Sequence, residues 1–451
     1  MAKILICIDH KWRDLPAYVY AAILMERKGH TVQLIRNGFE KYFLVGMRPD
    51  LIIMPHIWGV GQQQFAKKLA NQGVLVVLMP TEGIATLATW QEYVAGKDND
   101  MSGVDLGLTW SNEMADILAQ NPTITRNKIK TIGCPRFDFY RKPLIETIRT
   151  KSEFCKEYGW NEYSQIVTVA TNFTQAQFHD VNPMFLAEDA ERLGYTKVAN
   201  DSAGSLSEMA QRDFESREIL CEAFIRLVND LPNRNFILKL HPSEDHIYYF
   251  NSLKNKLGDS SKRVAIVTQA YIWEILTISD VEIQRSCTTG VESWMLGKPT
   301  IEAKLNPDEW YFSPDFASGS YIASSYPDLL RQTIAYLDGE DVSQELQVNR
   351  KVFIDKWCHL IDGYRTPELV KQIDLLLSTN KKTKKIKFKL FNWMVWLLIR
   401  VTDSKIHDLR VYGFMSLITK KKIDKLGRLD KYFNSSDVKA IKKNLLTSLG
   451  Q

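Results

Sequence analysis

Short apolar runs recur along most of this chain, and many are separated by a stretch long enough to form a helix. Lys3–Ile8, Thr31–Ile35, Asp50–Pro55, Val74–Met79, Asp105–Trp110 and Lys130–Gly133 have the length and content of strands. Helical spacing occupies Ala17–Lys28 and about Gln62–Gln72. Continuous apolar strands are buried on both faces, and strands alternating with helices run parallel. Across Pro143–Tyr158 the pattern gives way to a polar, charged helix with no strand beside it, read as a connection between domains. A second series follows: Gln165–Ala170, a helix at Ser216–Asp230, Asn235–Leu240, Val264–Val267, Tyr271–Ser279, Asp280–Ile283, a helix at Gly290–Leu296, and Thr300–Ala303. Tyr326–Leu377 reads as helices packing back on the body. The length of 451 residues suits two domains and an appendage. The boundaries expected are 1–142, a connection at 143–164, a second domain at 165–377 and a tail at 378–451.

Two doubly wound domains facing each other place a cleft at the carboxyl ends of both sheets, so the chemistry is sought in the strand-end loops. The sharpest signal is Leu238-Lys-Leu-His241-Pro242 followed by Gln284-Arg-Ser286-Cys-Thr288-Thr289-Gly290-Val-Glu292, with Gly297-Lys298-Pro299 beyond. In the second stretch a strand ends, small hydroxyl residues turn the chain, and a helix begins. Backbone N–H groups and the positive helix end favour a phosphate there. Thr288 and Thr289 add hydroxyl donors, and Glu292 is placed one turn in to accept from a ribose. His241 can donate to a phosphate or a leaving oxygen. The plainer reading makes Thr288-Thr289-Gly290 a helix cap and His241 a buried structural residue.

This order of motifs resembles bacterial GT-B transferases that use CMP- or CDP-activated donors: sialyltransferases, capsule Kdo transferases and CDP-glycerol glycerophosphotransferases. The body from Ile4 to about Leu377 also resembles the surface carbohydrate biosynthesis protein family. The matching residues are Arg13-Asp14-Leu15, Pro80-Thr-Glu82-Gly83, Gly133-Cys-Pro135-Arg136-Phe-Asp138, His241-Pro242 and the Thr-Thr-Gly stretch. The resemblance implies an α/β, GT-B fold: two Rossmann-like domains, the first for the acceptor and the second for the donor. It implies transfer of a sugar, with a nonulosonic acid among the candidates, in surface polysaccharide assembly. His241, Pro242, Ser286, Thr288, Thr289, Gly290, Glu292 and Asn172 would then hold the donor. Glu82, followed by Gly83, would face the acceptor and take the proton from its hydroxyl. Thr81 stands where sialyltransferases often have a second acid, and a surface carboxylate in a turn is the alternative for Glu82.

Asp9, His10, Arg13 and Asp14 cluster after the first strand. They suit an acceptor or a carboxylate-bearing sugar, which the planar guanidinium of Arg13 matches. They equally suit an Asp-capped helix start. Gly133-Cys-Pro135-Arg136 reads as structural, shaping a hinge, and Asn172-Phe173-Thr174 as a donor-side loop. No G-x-G-x-x-G follows the first strand and no P-loop is present, so dinucleotide and ATP chemistry lose support. Asp98-Asn99-Asp100 matches DxD without the strand context a metal-binding transferase would need. The expectation is a metal-free enzyme with no cofactor, its nucleotide-sugar donor being a substrate.

The six cysteines show neither a CxxC pair nor metal spacing and read as reduced thiols. The amino terminus reads as a strand rather than a signal peptide, and no apolar run reaches spanning length, so a cytoplasmic location is expected. The net charge of +5 hides an asymmetry: residues 381–451 hold 18 Lys and Arg against 5 Asp, or +13, leaving −8 for the rest. Six lysines between Lys381 and Lys389 run into Leu390-Phe-Asn-Trp393-Met-Val-Trp396-Leu-Leu-Ile399. A lysine cluster beside a short aromatic helix fits the anionic inner face of a membrane, with a lipid-linked or growing glycan as acceptor. A helix packed on the body is the alternative, and nothing supports nucleic-acid binding. Other readings of the whole chain are CDP-glycerol-type polyol-phosphate transfer, UDP-sugar 2-epimerisation and a non-catalytic membrane scaffold.

Overall fold

The computed structural model describes residues 1–86, 99–179, 206–242, 244–380, 385–387, 389–402 and 432–450. The chain divides into two compact units: Met1–Thr147 with Asp355–Gln451, and Ile148–Ile354.

The sheet of the first unit has strands β1 (Lys3–Ile8), β2 (Thr31–Arg36), β3 (Leu51–Met54), β4 (Leu75–Leu78), β5 (Leu106–Thr109) and β6 (Ile129–Thr131), in the order β2-β1-β3-β4-β5-β6. Every pairing in it is parallel. Leu-Ile-Ile-Met in β3 and Leu-Val-Val-Leu in β4 are buried throughout, as central strands covered on both faces must be. Helices α1 (Lys11–Arg27), α2 (Glu40–Met47), α3 (Gly59–Asn71) and α4 (Asn112–Leu118) make the crossovers. Ser111 caps α4 by accepting from the Met114 amide.

The second unit opens on helix α5 (Lys151–Tyr158), which begins with a Thr150/Glu153 capping box and ends on Gly159 in the left-handed region. Its strands are β7 (Ile166–Ala170), β8 (Asn235–Lys239), β9 (Val264–Val267), β10 (Val281–Gln284), β11 (Thr300–Ala303) and β12 (Tyr321–Ala323). They also pair in parallel, in the order β12-β11-β10-β7-β8-β9. Helices α6 (Leu206–Asp230), α7 (His246–Leu257), α8 (Ile272–Ile278), α9 (Thr288–Met295), α10 (Pro314–Ala317), α11 (Tyr326–Leu337) and α12 (Gln344–Trp357) complete it. One face of this sheet is apolar: Val167, Val169, Val281, Ile283 and Ile301 join a core with Phe224, Tyr249 and Leu329. The opposite face carries Thr168, Glu282, Gln284, Thr300 and Glu302, all buried. The strict alternation in Val-Glu-Ile-Gln thus buries polar side chains as well as apolar ones.

After α12 the chain rejoins the first unit. Helix α13 (Arg365–Thr379) packs on α1, helix α14 (Leu390–Thr402) on α2, and helix α15 (Ser435–Ser448) on α1. The expected second domain of 165–377 and separate tail of 378–451 are corrected accordingly. Ile386, Val395 and Ile399 are buried in the first unit's core with Tyr42 and Phe43. A side chain at Gly46 would collide with the Trp396 ring, so only glycine lets α14 come this close to α2. Helical periodicity shows that a segment has an apolar face without showing which sheet it covers, which is why the boundary was misplaced. Lys381 to Lys384 and Phe388 lie outside the described residues.

Candidate functional site

In the second unit β7 lies between β8 and β10, and the strand order reverses between β7 and β10. Ligands of open parallel sheets bind beyond the carboxyl ends at such a reversal. At about 4.8 Å per strand, the loops after β7, β8 and β10 lie within about 10 Å of one another. Side chains tie them together. The His241 amide donates to Thr171 Oγ1 at 3.2 Å, and the Thr171 hydroxyl donates to Glu244 at 3.0 Å. Glu244 also accepts from the Phe173 amide at 2.7 Å and from the Tyr249 hydroxyl. Asn172 is buried, and its carbonyl accepts from Arg285 Nη1 at 2.6 Å. Arg285 in turn meets Asp213 at 2.8 Å and Glu309 at 2.5 Å.

The turn from β10 into α9 is built around the carboxylate of Glu302. It accepts from the Ser286 amide at 2.9 Å, the Ser286 hydroxyl at 2.8 Å and Gln284 Nε2 at 2.5 Å. Ser286 Oγ also accepts from the Ser313 amide at 2.9 Å. Ser286 holds a φ of 39°, an uncommon value for a non-glycine residue, and this network fixes it. Its hydroxyl is therefore committed within the unit. Gly290 is required by close approach, since a Cβ there would stand 2.8 Å from Gln284 Cδ.

Helix α9 starts at Thr288 with Cys287 as N-cap; no hydroxyl or carboxylate caps its first amides, and only the Cys287 thiol lies beside the Thr289 amide. An end left open in this way suits an anion. Thr288 is half-buried, and Thr289 turns its hydroxyl inward toward Glu282 and Cys287. Glu292 is buried beside Glu282, so a ribose contact there would need the carboxyl to emerge. Burial pushes both Glu282 and Glu302 up to about 7. His241 and Pro242 are half-buried at the end of β8.

Lys239 lies two residues before His241, in the same motif. It is wholly buried, donates to the Leu240 carbonyl at 2.8 Å, and burial pushes it down to about 8. A lysine inside an apolar strand was the available signal. Lys298 donates to the Thr277 carbonyl at 3.2 Å, and Gly297 closes α9 with a φ of 71°.

In the first unit the order reverses between β1 and β3, which brings the loops holding Asp9 and His56 together. Arg13 meets Asp9 at 3.3 Å, Asp14 at 3.0 Å, and Glu82 in a close ion pair. Burial works against the Arg13 charge, but Asp14, Glu82 and Asp9 outweigh it and hold the guanidinium protonated. Its fork is thus filled by the chain's own carboxylates. Asp14 is buried and accepts from the His10 amide at 3.1 Å, so it fastens the start of α1 as well. Gly83 is a packing residue: a side chain there would collide with Trp110, whose indole donates to the Pro80 carbonyl at 2.9 Å.

His56 was missed. Its Nδ1 lies 2.9 Å from Gln62 Oε1, an acceptor, so that nitrogen carries the proton. Nε2 then accepts from Asn37 at 3.0 Å and stands 3.8 Å from Asp9, while the ring stacks on Trp58 at 4.0 Å. His56, Trp58, Pro80, Thr81 and Glu82 line one small pocket. A histidine beside the apolar run of β3 was the only sequence signal.

Gly133 to Asp138 serves another purpose. Asp138 accepts from the Arg365 and Thr366 amides at 2.8 and 2.6 Å, capping α13, and burial raises it to about 6. Arg136 is buried, its guanidinium 5.3 Å from the centre of the Trp110 ring. Asp98 lies outside the described residues, and Asp100 is paired with Lys67. Among the described residues no cluster of His, Cys, Asp or Glu is arranged to hold a metal ion.

No protein-family model matches the chain, and no curated protein matches it. Solved structures do resemble it. The wall teichoic acid polymerase TagF, in a soak with CDPG, is 12% identical with a TM-score of 0.52, over 84% of this chain and 89% of that one. The S. aureus MnaA–UDP structure is 12% identical with a TM-score of 0.53, over 84% of this chain and 99% of that one. The UDP-GlcNAc 2-epimerase of Neisseria meningitidis, bound to UDP-GlcNAc, is 11% identical with a TM-score of 0.51, over 84% and 100%. With two six-stranded parallel sheets and these likenesses, the chain has an α/β fold of the GT-B type.

Proposed function

We propose that this protein is a nucleotide-dependent transferase of surface-glycan assembly, holding its donor at the strand ends of the second unit. One observation carries the reading: the uncapped start of α9 lies at the β7/β10 reversal, in the same group of strand ends as His241. The amides at Thr288 and Thr289 would receive the donor phosphates, with the Thr288 hydroxyl beside them. His241 would donate to the phosphate or the leaving oxygen, and the buried Lys239 adds positive charge behind that turn. Ser286, Gly290, Glu292 and Asn172 would act through the shape of the loop rather than by touching the donor. In the first unit the proton of the attacking hydroxyl would go to Glu82, once Arg13 turns to the substrate, or to Nε2 of His56, once Asn37 releases it.

The donor is proposed to be a CMP-linked sugar, with CDP-glycerol next. Neighbours of this fold were solved with CDPG, UDP and UDP-GlcNAc, which supports a nucleotide-linked donor. The acceptor would be a lipid-linked or growing glycan at the inner face of the cytoplasmic membrane, and neither a metal nor a cofactor enters the scheme. The test is nucleotide release with bacterial membranes as acceptor. A CMP-sugar or CDP-glycerol should yield CMP, and His241→Ala should abolish it. UDP-GlcNAc isomerised without membranes would make the protein an epimerase. No turnover of any donor, with no nucleotide bound, would make it a scaffold.

A further inference from the structure

Helix α14 is apolar on two opposite sides. Val395 and Ile399 face α2 and are buried in the first unit's core. Leu390, Met394, Leu397 and Val401 follow one another at intervals of four, three and four residues and so share the other face. With Phe391 beside them, these side chains are 36% to 79% exposed. The helix is thus fixed to the unit by one side and presents aliphatic and aromatic groups on the other. A contiguous apolar patch of this kind marks an interaction surface.

We propose that this face of α14 docks the protein flat on an anionic lipid bilayer. The charge around it selects that partner. Lys385, Lys387 and Lys389 lead directly into the helix and are exposed. Lys385 and Lys387 also line a cavity of about 460 Å³ with Lys68 and the Asp100-paired Lys67 of α3, which leaves three lysines there to meet a phosphate headgroup. Residues 381–451 carry a net charge of +13 and contain no glutamate. A second copy would bring two such tails together, which like charge opposes. An aliphatic face offers a nucleic acid little to stack on.

The helix has 13 residues, about 20 Å at about 1.5 Å each, against a hydrocarbon core of about 30 Å. Among the described residues no helix is long and apolar enough to cross a membrane. A short helix with an apolar face and flanking lysines lies in the interface with that face among the acyl chains. Trp396, sandwiched against Gly46, holds it to the unit, so the angle of α14 to the bilayer is the angle of the first unit as well.

This deepens the membrane side of the reading above, and its test uses neither donor nor acceptor. Full-length protein is mixed with vesicles of phosphatidylcholine alone, or with about one-third phosphatidylglycerol, and sedimented. Strong binding to the anionic vesicles and weak binding to the neutral ones is expected. The variant M394D/L397D, altered only at exposed positions, should bind about tenfold more weakly or worse while melting like the parent. K385E/K387E should reduce binding and its salt dependence. Unchanged binding by M394D/L397D overturns the proposal. So does a lipid-free dimer in sedimentation velocity that M394D/L397D dissociates, which would assign the face to self-association. Vesicle binding with no nucleotide release would instead sink only the transferase reading.

Discussion

The two units share a parallel sheet and treat polar groups in opposite ways. In the first unit the central strands are apolar from end to end, and charge is gathered beyond their tips, where Arg13 and Asp14 in the first turn of α1 meet Asp9 and Glu82. In the second unit charge runs into the sheet itself: Glu282 and Glu302 are buried beneath the turn that starts α9, and Arg285 is buried between Asp213 and Glu309. The first arrangement keeps stability and site chemistry apart. The second couples them, because the groups that shape the turn into α9, the proposed donor loop, are also the costliest ones in the core.

Substitution at the two arginines should expose this difference most. Arg285→Ala strands two buried carboxylates and should cost about 3–5 kcal/mol, measured by urea unfolding, with the second unit lost first. A loss below about 1 kcal/mol would mean the pair is not buried as described.

The next largest effect has the opposite sign. Burial holds Glu282 and Glu302 near 7, so the folded unit binds their protons more tightly than the unfolded chain, where glutamate titrates near about 4.3. The associated stability is full below about pH 4 and is lost as pH rises through about 7. Glu282→Gln should therefore stabilise the second unit at pH 8 by about 3–4 kcal/mol and do little at pH 4. Calorimetry at the two values checks it, and equal effects at both would contradict it.

In the first unit Gly83→Ala forces a methyl into Trp110 and should cost about 2 kcal/mol, visible as a lower melting temperature. The smallest effect belongs to Arg13→Met. Its side chain is 23% exposed and two of its three partners, Asp9 and Glu82, keep contact with solvent, so about 1 kcal/mol or less is expected in stability. A loss as large as that at Arg285 would erase the contrast between the units.

Much of the architecture was legible because its signal is local. Lys3–Ile8, Val264–Val267 and Thr300–Ala303 were placed to the residue. Helices α2, α4 and α7 and the three-residue strand β12 were missed, being short or weakly periodic. The site was legible as motifs and not as geometry. Cys-Thr-Thr-Gly announced a turn into a helix, but whether a hydroxyl points out or in depends on Glu282 and Glu302, which precede and follow it in sequence. His56 depends on Asn37 and Gln62, brought together only by the crossing of β1, β2 and β3.

The most direct test of the central claim is thermal unfolding with CMP, CDP, UDP and GDP, for the parent and for His241→Ala. A ligand bound only by the native state raises the midpoint by mass action. The account predicts a rise with CMP or CDP that His241→Ala removes without lowering the ligand-free midpoint. No rise with any of the four, or a rise that survives His241→Ala and Thr288→Ala alike, would contradict a donor site at these strand ends.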